Sequence, residues 1–227
     1  MVSSISSIDL EKSRALFGTG GPAAPAIFVI NSTDHPFALE PLTHELTSTL
    51  VSIAVSSWND ALTPWPAPSL YREEQDFGGK APETLLELRN HVIPAIEQRE
   101  GLTPRSRAIC GYSLGGLFSL YAFTHGTAFS ACGCLSGSVW YEGWVDHLRS
   151  LDLQLDGKFA FLSLGSKERR GAHPAMRTVQ DNMQLCANAL QDRGCKVHFE
   201  VTPGNHFQHV DERLHAGISA LDAFLIG

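Results

Sequence analysis

Apolar and polar positions fall in blocks along this chain, and the period of the pattern changes from block to block. Ala26-Ile27-Phe28-Val29-Ile30 is an unbroken apolar run, as a parallel strand covered on both faces requires. Pro36 can open a helix, with Leu39, Leu42, Leu46 and Leu50 spaced three and four apart. Leu50 to Val55 reads as the next strand. From 56 to 80 periodicity fails, because Pro64, Pro66 and Pro68 forbid regular structure. This stretch, which also holds Trp58, Trp65, Tyr71 and Phe77, is expected to lie as an irregular loop over a site. Pro82 then opens a helix whose buried face is Leu85, Leu88, Val92 and Ile96, with a kink expected at Pro94. Strands follow at 106–110, 129–135 and 159–164. A buried helix fits 117–123, and Val179, Met183, Cys186 and Leu190 mark another, closed by Gly194. Val197 to Val201 alternates like a half-buried or edge strand. Val210, Leu214, Ile218, Leu221 and Leu225 line a last helix. Strands and helices thus alternate from Ala26 to the end, which predicts an α/β fold: a mostly parallel, twisted sheet with helices on both faces. Residues 1–24 are small and polar and read as a loosely held leader, leaving 25–227 as a single domain.

Composition narrows the partners. Hydrophobic content of 43% and charged content of 18% are those of a soluble globular protein. A net charge of −7 argues against nucleic acid and anionic membrane, which attract basic surfaces. No apolar run has the length of a membrane span, and the N-terminus lacks the basic start of a signal peptide, so a cytoplasmic location is expected. The five cysteines, Cys110, Cys132, Cys134, Cys186 and Cys195, read as buried free thiols. Cys132-Gly133-Cys134 is not a zinc spacing, and neither metal nor cofactor is expected.

The chemistry centres on Gly111-Tyr112-Ser113-Leu114-Gly115-Gly116, a Gly-x-Ser-x-Gly sequence between a predicted strand and a predicted helix. Strand, sharp turn and helix are the setting of a nucleophile elbow, which lifts a serine hydroxyl above the sheet. A serine needs a base, and the base needs an orienting acid. His206, in Pro203-Gly204-Asn205-His206 after the last strand, is the candidate base, with His209 its nearest rival. Glu168, after the 159–164 strand, is the candidate acid; Asp146 and Asp181 are the alternatives. The oxyanion hole is expected to use the amide of Leu114 and one near Asn31-Ser32, after the first strand. Trp58, Trp65, Trp140, Tyr141, Tyr112 and Arg169 are the candidate substrate contacts. Lys167, Arg170 and Arg72 add cations that suit an anionic or phenolic aromatic ester.

With these residues in place, the chain from about Ala26 onward resembles the putative-esterase branch of the α/β-hydrolases, which includes esterase D-like and siderophore trilactone esterases. Gly111 to Phe118, Leu135-Ser136-Gly137-Ser138-Val139-Trp140-Tyr141, Gly204-Asn205-His206, and Leu62-Thr63-Pro64 followed by Phe77-Gly78-Gly79 carry the resemblance. It implies an α/β-hydrolase fold, Ser113 as nucleophile, His206 as base, Glu168 as acid and a small-molecule ester as substrate. Two departures stand out. Residues 1–24 show little of the antiparallel strands with which the family opens, which leaves a sheet edge free to form a homodimer. Asn31-Ser32-Thr33 replaces the usual Asp-Gly-type turn. The leading expectation is a serine ester hydrolase working through an acyl-enzyme. An acyltransferase using the same acyl-serine and a non-catalytic binding protein on this fold are the alternatives.

Overall fold

Six of the seven strands of the central sheet run parallel, so their carboxyl ends share one edge. The structure, a computed structural model, describes residues 6–70, 75–171 and 173–227. Tyr71 and Arg72, named above, lie outside those residues. The chain enters with β1 (Ile8–Leu16), β2 (Ala26–Ser32) and β3 (Thr49–Val55). A short helix α1 (Trp58–Ala61) and a two-residue pairing of β4 (Pro66–Ala67) with β5 (Phe77–Gly78) fill the proline-rich stretch. Then come α2 (Ala81–Glu87), α3 (Ile93–Glu100), β6 (Arg107–Tyr112), α4 (Leu114–Thr124), β7 (Ala131–Leu135) and α5 (Trp144–Ser150). The chain closes with β8 (Phe159–Gly165), α6 (Val179–Gln191), β9 (Lys196–Thr202) and α7 (Val210–Ile226). The sheet order is β1-β3-β2-β6-β7-β8-β9, with only β1 antiparallel to its neighbour.

The apolar run of β2 has the cause expected of it. Phe28 and Ile30 point into the larger core, under α2 to α6, whereas Ile27 and Val29 point into a smaller core closed by Leu214, Ile218 and Leu221 of α7. Both faces are dry, and each fully buried aliphatic side chain stabilises the fold by about 1.5–3 kcal/mol. β9 alternates between half-buried and exposed residues because it is the far edge strand, as its pattern predicted. Pro94 is accommodated by a π-helical turn, Leu88–Val92, between α2 and α3. The proline has no N–H to return to the Asn90 carbonyl, and the wider turn absorbs that loss.

Three expectations fail. The leader is not loose throughout, because residues 8–16 form β1 along β3 and occupy the sheet edge that had been left open for a second copy. Its sequence hides this: only Ile8 and Ser13 of the strand are buried, and the register slips between Asp9 and Arg14. The helix from Pro36 reduces to one 3-10 turn at Glu40–Leu42, since Pro41 removes a donor where that helix would need one. Leu39 and Leu46 are buried in loops, and Leu50 belongs to β3. In addition, α5 forms where no helix was anticipated, anchored by the fully buried Trp144. Among the described residues, no helix is long and apolar enough to cross a membrane.

Candidate active site

Ser113 sits between β6 and α4 at φ 59°, ψ −124°, a backbone conformation costly for any residue with a side chain. Its amide donates to the Leu135 carbonyl at 3.0 Å, and its carbonyl accepts from the amides of Ser138, at 3.1 Å, and Gly116, at 3.0 Å. The turn is therefore held from both sides, which offsets a strain of about 1–3 kcal/mol. Gly111 is needed because a Cβ there would lie 2.3 Å from the Gly115 carbonyl oxygen.

The turn after β9 brings His206 over this serine. Nε2 of His206 lies 3.0 Å from Ser113 Oγ, and Nδ1 lies 3.0 Å from Glu168 Oε2. A carboxylate can only accept, so Nδ1 carries the proton and Nε2 faces the hydroxyl with a lone pair. The Tyr112 hydroxyl donates to the His206 carbonyl at 2.6 Å and fixes its backbone. Glu168 is only 6% exposed. Its Oε1 accepts from the Gly165 amide and the Ser136 hydroxyl, each at 2.7 Å. Burial alone would raise this carboxyl's pKa. The His206 hydrogen bond and charge, the Gly165 amide and the Ser136 hydroxyl outweigh that effect and hold it below the usual carboxylate value.

Above the three side chains opens a cleft of about 590 Å³, lined by Trp58, Leu70, Phe77, Trp140, Met176 and Phe207 along its apolar walls. Lys167, Arg170, Asn59 and Asn205 supply the polar rim. Phe207 is 86% exposed at its lip, edge-on to the His206 ring. Leu114, whose amide opens α4, also lines it.

The other sequence candidates fall elsewhere. Asn31 and Ser32 line a separate depression against β1. The amides of the loop after β2 are committed: Ser32 and Phe37 donate to Asn31 Oδ1, Thr33 to the Val55 carbonyl, and Asp34 and His35 to Ser32 Oγ. Neither Asn31 nor Ser32 lines the cleft above Ser113. Trp65 is turned away, donating to the Glu142 carbonyl and packing on Tyr141 and His147. Tyr141 is buried behind Phe77 and donates to the Trp65 carbonyl. Tyr112 lies behind His206 rather than in the cleft, and Arg169 is exposed outside it; Arg170 takes that place. Asp146 and Asp181 are exposed on α5 and α6, and His209 pairs with Glu212 at 3.0 Å on the far side of its turn. The cysteines are all free and buried, and burial pushes Cys110, Cys186 and Cys195 up to about 12, so none competes as a thiolate.

Two neighbours of the site were not anticipated. Ser138 Oγ lies 3.4 Å from Ser113 Oγ. Arg213, fully buried on α7, reaches Tyr112 and Ser136. Arg213 could have been noticed, as a cation three residues after Val210 on the stripe that the last helix buries.

Comparison with known proteins gives the fold and the family. The chain is 34% identical over 148 residues to the uncharacterized protein YbbA of Bacillus subtilis strain 168, a match spanning 64% of this chain and 59% of that protein's length. An IroE-like serine hydrolase from Shewanella oneidensis superposes with a TM-score of 0.76 at 18% identity, over 92% of this chain and 74% of that one. The siderophore hydrolase EstA from Aspergillus nidulans gives 0.70 at 19% identity, over 96% and 94%. The sheet order, the elbow and these superpositions are those of the α/β-hydrolase fold. Residues 33–213, most of the chain, match the family described as putative esterase, and the chain belongs to that family.

Proposed function

We propose that this protein is a serine carboxylic-ester hydrolase that works through an acyl–Ser113 intermediate. The observation that carries the reading is the continuous relay from Glu168 through His206 to Ser113 on the floor of an open cleft. His206 Nε2 takes the Ser113 proton as Oγ bonds to the ester carbonyl carbon. The oxyanion that forms is held by the Leu114 amide, at the N-terminal end of α4. Collapse breaks the bond to the alcohol oxygen, which leaves with the proton from His206. Water then repeats the sequence: its proton goes to His206, its oxygen bonds to the acyl carbon, and the acid departs as Ser113 recovers its proton. Glu168 stays ionised throughout and stabilises the imidazolium that forms at each step.

The cleft walls favour an aromatic acyl or alcohol group. Trp58, Phe77 and Trp140 offer flat apolar surface, and Lys167 and Arg170 offer charge to a phenolate or carboxylate at the rim. The naming of a structural neighbour as a siderophore hydrolase supports an ester of siderophore type over a short-chain one. A panel of acetyl, butyryl, hydroxycinnamoyl and catechol esters tests this. The reading expects kcat/KM to be highest for the last two, and a flat profile would leave a generic short-chain esterase. Ser113→Ala should abolish turnover of every ester with the fold retained; wild-type turnover by this variant would reject the reading.

A further inference from the structure

Arg213 is 1% exposed, and among the described residues no carboxylate lies within ion-pair distance of it. A guanidinium is seldom buried without a counter-charge. Its hydrogen bonds show where the compensation comes from. Nη1 donates to the Tyr112 hydroxyl at 2.6 Å and to the Ser136 hydroxyl at 3.2 Å. Each hydroxyl passes its own proton on: Tyr112 to the His206 carbonyl, and Ser136 to Glu168 Oε1. Nη2 donates to the carbonyls of Pro203 and Asn205, in the turn that carries His206, and Nε donates to Thr202 Oγ1 at 2.7 Å. One planar fork thus reaches the base through one hydroxyl and the acid through another.

The surroundings are shaped to this arrangement. Ser136 holds a φ of 43°, in the left-handed region, while its hydroxyl bridges Arg213 and Glu168. Gly165 donates its amide to Glu168, and a Cβ on it would lie 2.6 Å from Arg213 Nη2. Only glycine at that position admits both the guanidinium and the carboxylate contact.

We infer that Arg213 is a positioning residue of the catalytic relay: it fixes the His206 turn through the carbonyls of Pro203 and Asn205 and, by way of the Tyr112 hydroxyl, that of His206, and across Ser136 it supplies a counter-charge to Glu168. This rests on the proposed hydrolase reading. The charged and titratable groups that face the relay are Tyr112 at the end of β6, Cys134 in β7, Arg213 on α7, and Lys167 and Arg170 beside Glu168, with Arg169 exposed outside the cleft. Glu212 and His209 lie on the outer side of Arg213. Arg213 is the buried cation of this set, so its loss is the change that the relay feels in full. Losing a positive charge favours the protonated form of every group that faces it.

The test is the pH profile of kcat/KM on a p-nitrophenyl ester for Arg213→Gln, Arg213→Lys and Ser136→Ala. Arg213→Gln should move the acid limb to higher pH by about one unit. It should also lower kcat by about a hundredfold with KM little changed, as misplacement without lost substrate contact does. Arg213→Lys keeps the charge but not the fork, so its limb should stay at the wild-type pH while kcat still falls. Ser136→Ala, which leaves the guanidinium in place and decides the matter if Arg213→Gln does not fold, should move the limb in the same direction by less. In a Glu168→Gln background, Arg213→Gln should add little further loss of kcat. An unmoved limb in Arg213→Gln and Ser136→Ala, or the same fold loss in both backgrounds, would overturn the inference and leave Arg213 a structural anchor. A wild-type protein whose Ser113 takes no fluorophosphonate would instead overturn the reading on which the inference rests.

Discussion

Two histidine arrangements in this molecule use the same side chain for opposite ends. At the carboxyl edge of the sheet, His206 lies between a carboxylate and a serine hydroxyl. About the far end of α4, His125 and His147 stack with ring planes 6° apart, their Nε2 atoms at 3.1 Å. His125 Nδ1 donates to the Tyr121 carbonyl, so its Nε2 is the acceptor and His147 Nε2 the donor. The arrangement requires the accepting His125 ring to be neutral, and burial holds both rings below the ordinary imidazole value. Among the described residues, neither ring is paired with a carboxylate. Trp65, which sequence alone would send to the substrate, packs on His147 instead. What separates the proposed base from a packing residue here is the partner at the second nitrogen: a buried acid in one case, a backbone carbonyl in the other.

Removing one side of this contrast should have the largest effect. His206→Ala and Ser113→Ala should each lower kcat by about 10⁶-fold, and the double variant no further, because members of one relay are not additive. Steady-state kinetics checks this; a double variant much slower than either single would mean that the two act separately. Glu168→Gln makes the site resemble the histidine pair, with an uncharged partner at Nδ1. The loss of kcat should be smaller, about 10⁴-fold, since the acid forms no bond to substrate. Asp146→Asn and Asp181→Asn should change kcat little, and a larger loss from either than from Glu168→Gln would displace Glu168 from its role.

Much of this was legible in the chain. The elbow, the β9 turn and the β8 turn each follow a strand, and parallel strands put the residues after them on one edge, so Ser113, His206 and Glu168 could be drawn together by chain order alone. What was not legible depends on contacts between distant segments. β1 carries too few buried residues to show a strand period. The loop after β2 looked like an oxyanion donor until Asn31 proved to bind its amides. Trp65 and Tyr141 looked like site walls because sequence gives an aromatic's place on a loop and not the direction in which it points. Arg213 is the converse case: a charged residue in an apolar helix stripe reads as an error of pattern until its acceptors are seen.

Smaller effects sharpen the comparison. Arg170→Gln should erode the preference for phenolic or anionic aromatic esters over butyrate by about fivefold, the equivalent of one charged hydrogen bond of about 1 kcal/mol, while Arg169→Gln should not. An equal loss for all esters would remove Arg170 from substrate contact. His147→Gln should leave kcat/KM unchanged. Both rings of the pair resist protonation when folded, so their contribution is complete above the ordinary imidazole range, near pH 6.5, and is lost as the pH falls below it. His147→Gln should therefore shrink the drop in Tm between about pH 7.5 and 5.5, by roughly 2 °C. Glu168 acts in a lower window. Its pKa is depressed on folding, so its contribution is complete above the ordinary carboxylate range and is lost as the pH falls through the folded value.

The most direct test of the central claim, that His206 makes Ser113 a nucleophile, is peptide mass spectrometry after exposure to diisopropyl fluorophosphate. The account predicts one adduct, on the peptide containing Ser113, formed rapidly by the wild-type protein and slower by orders of magnitude in His206→Ala. Labelling of another residue, or equal rates in the two proteins, would contradict it.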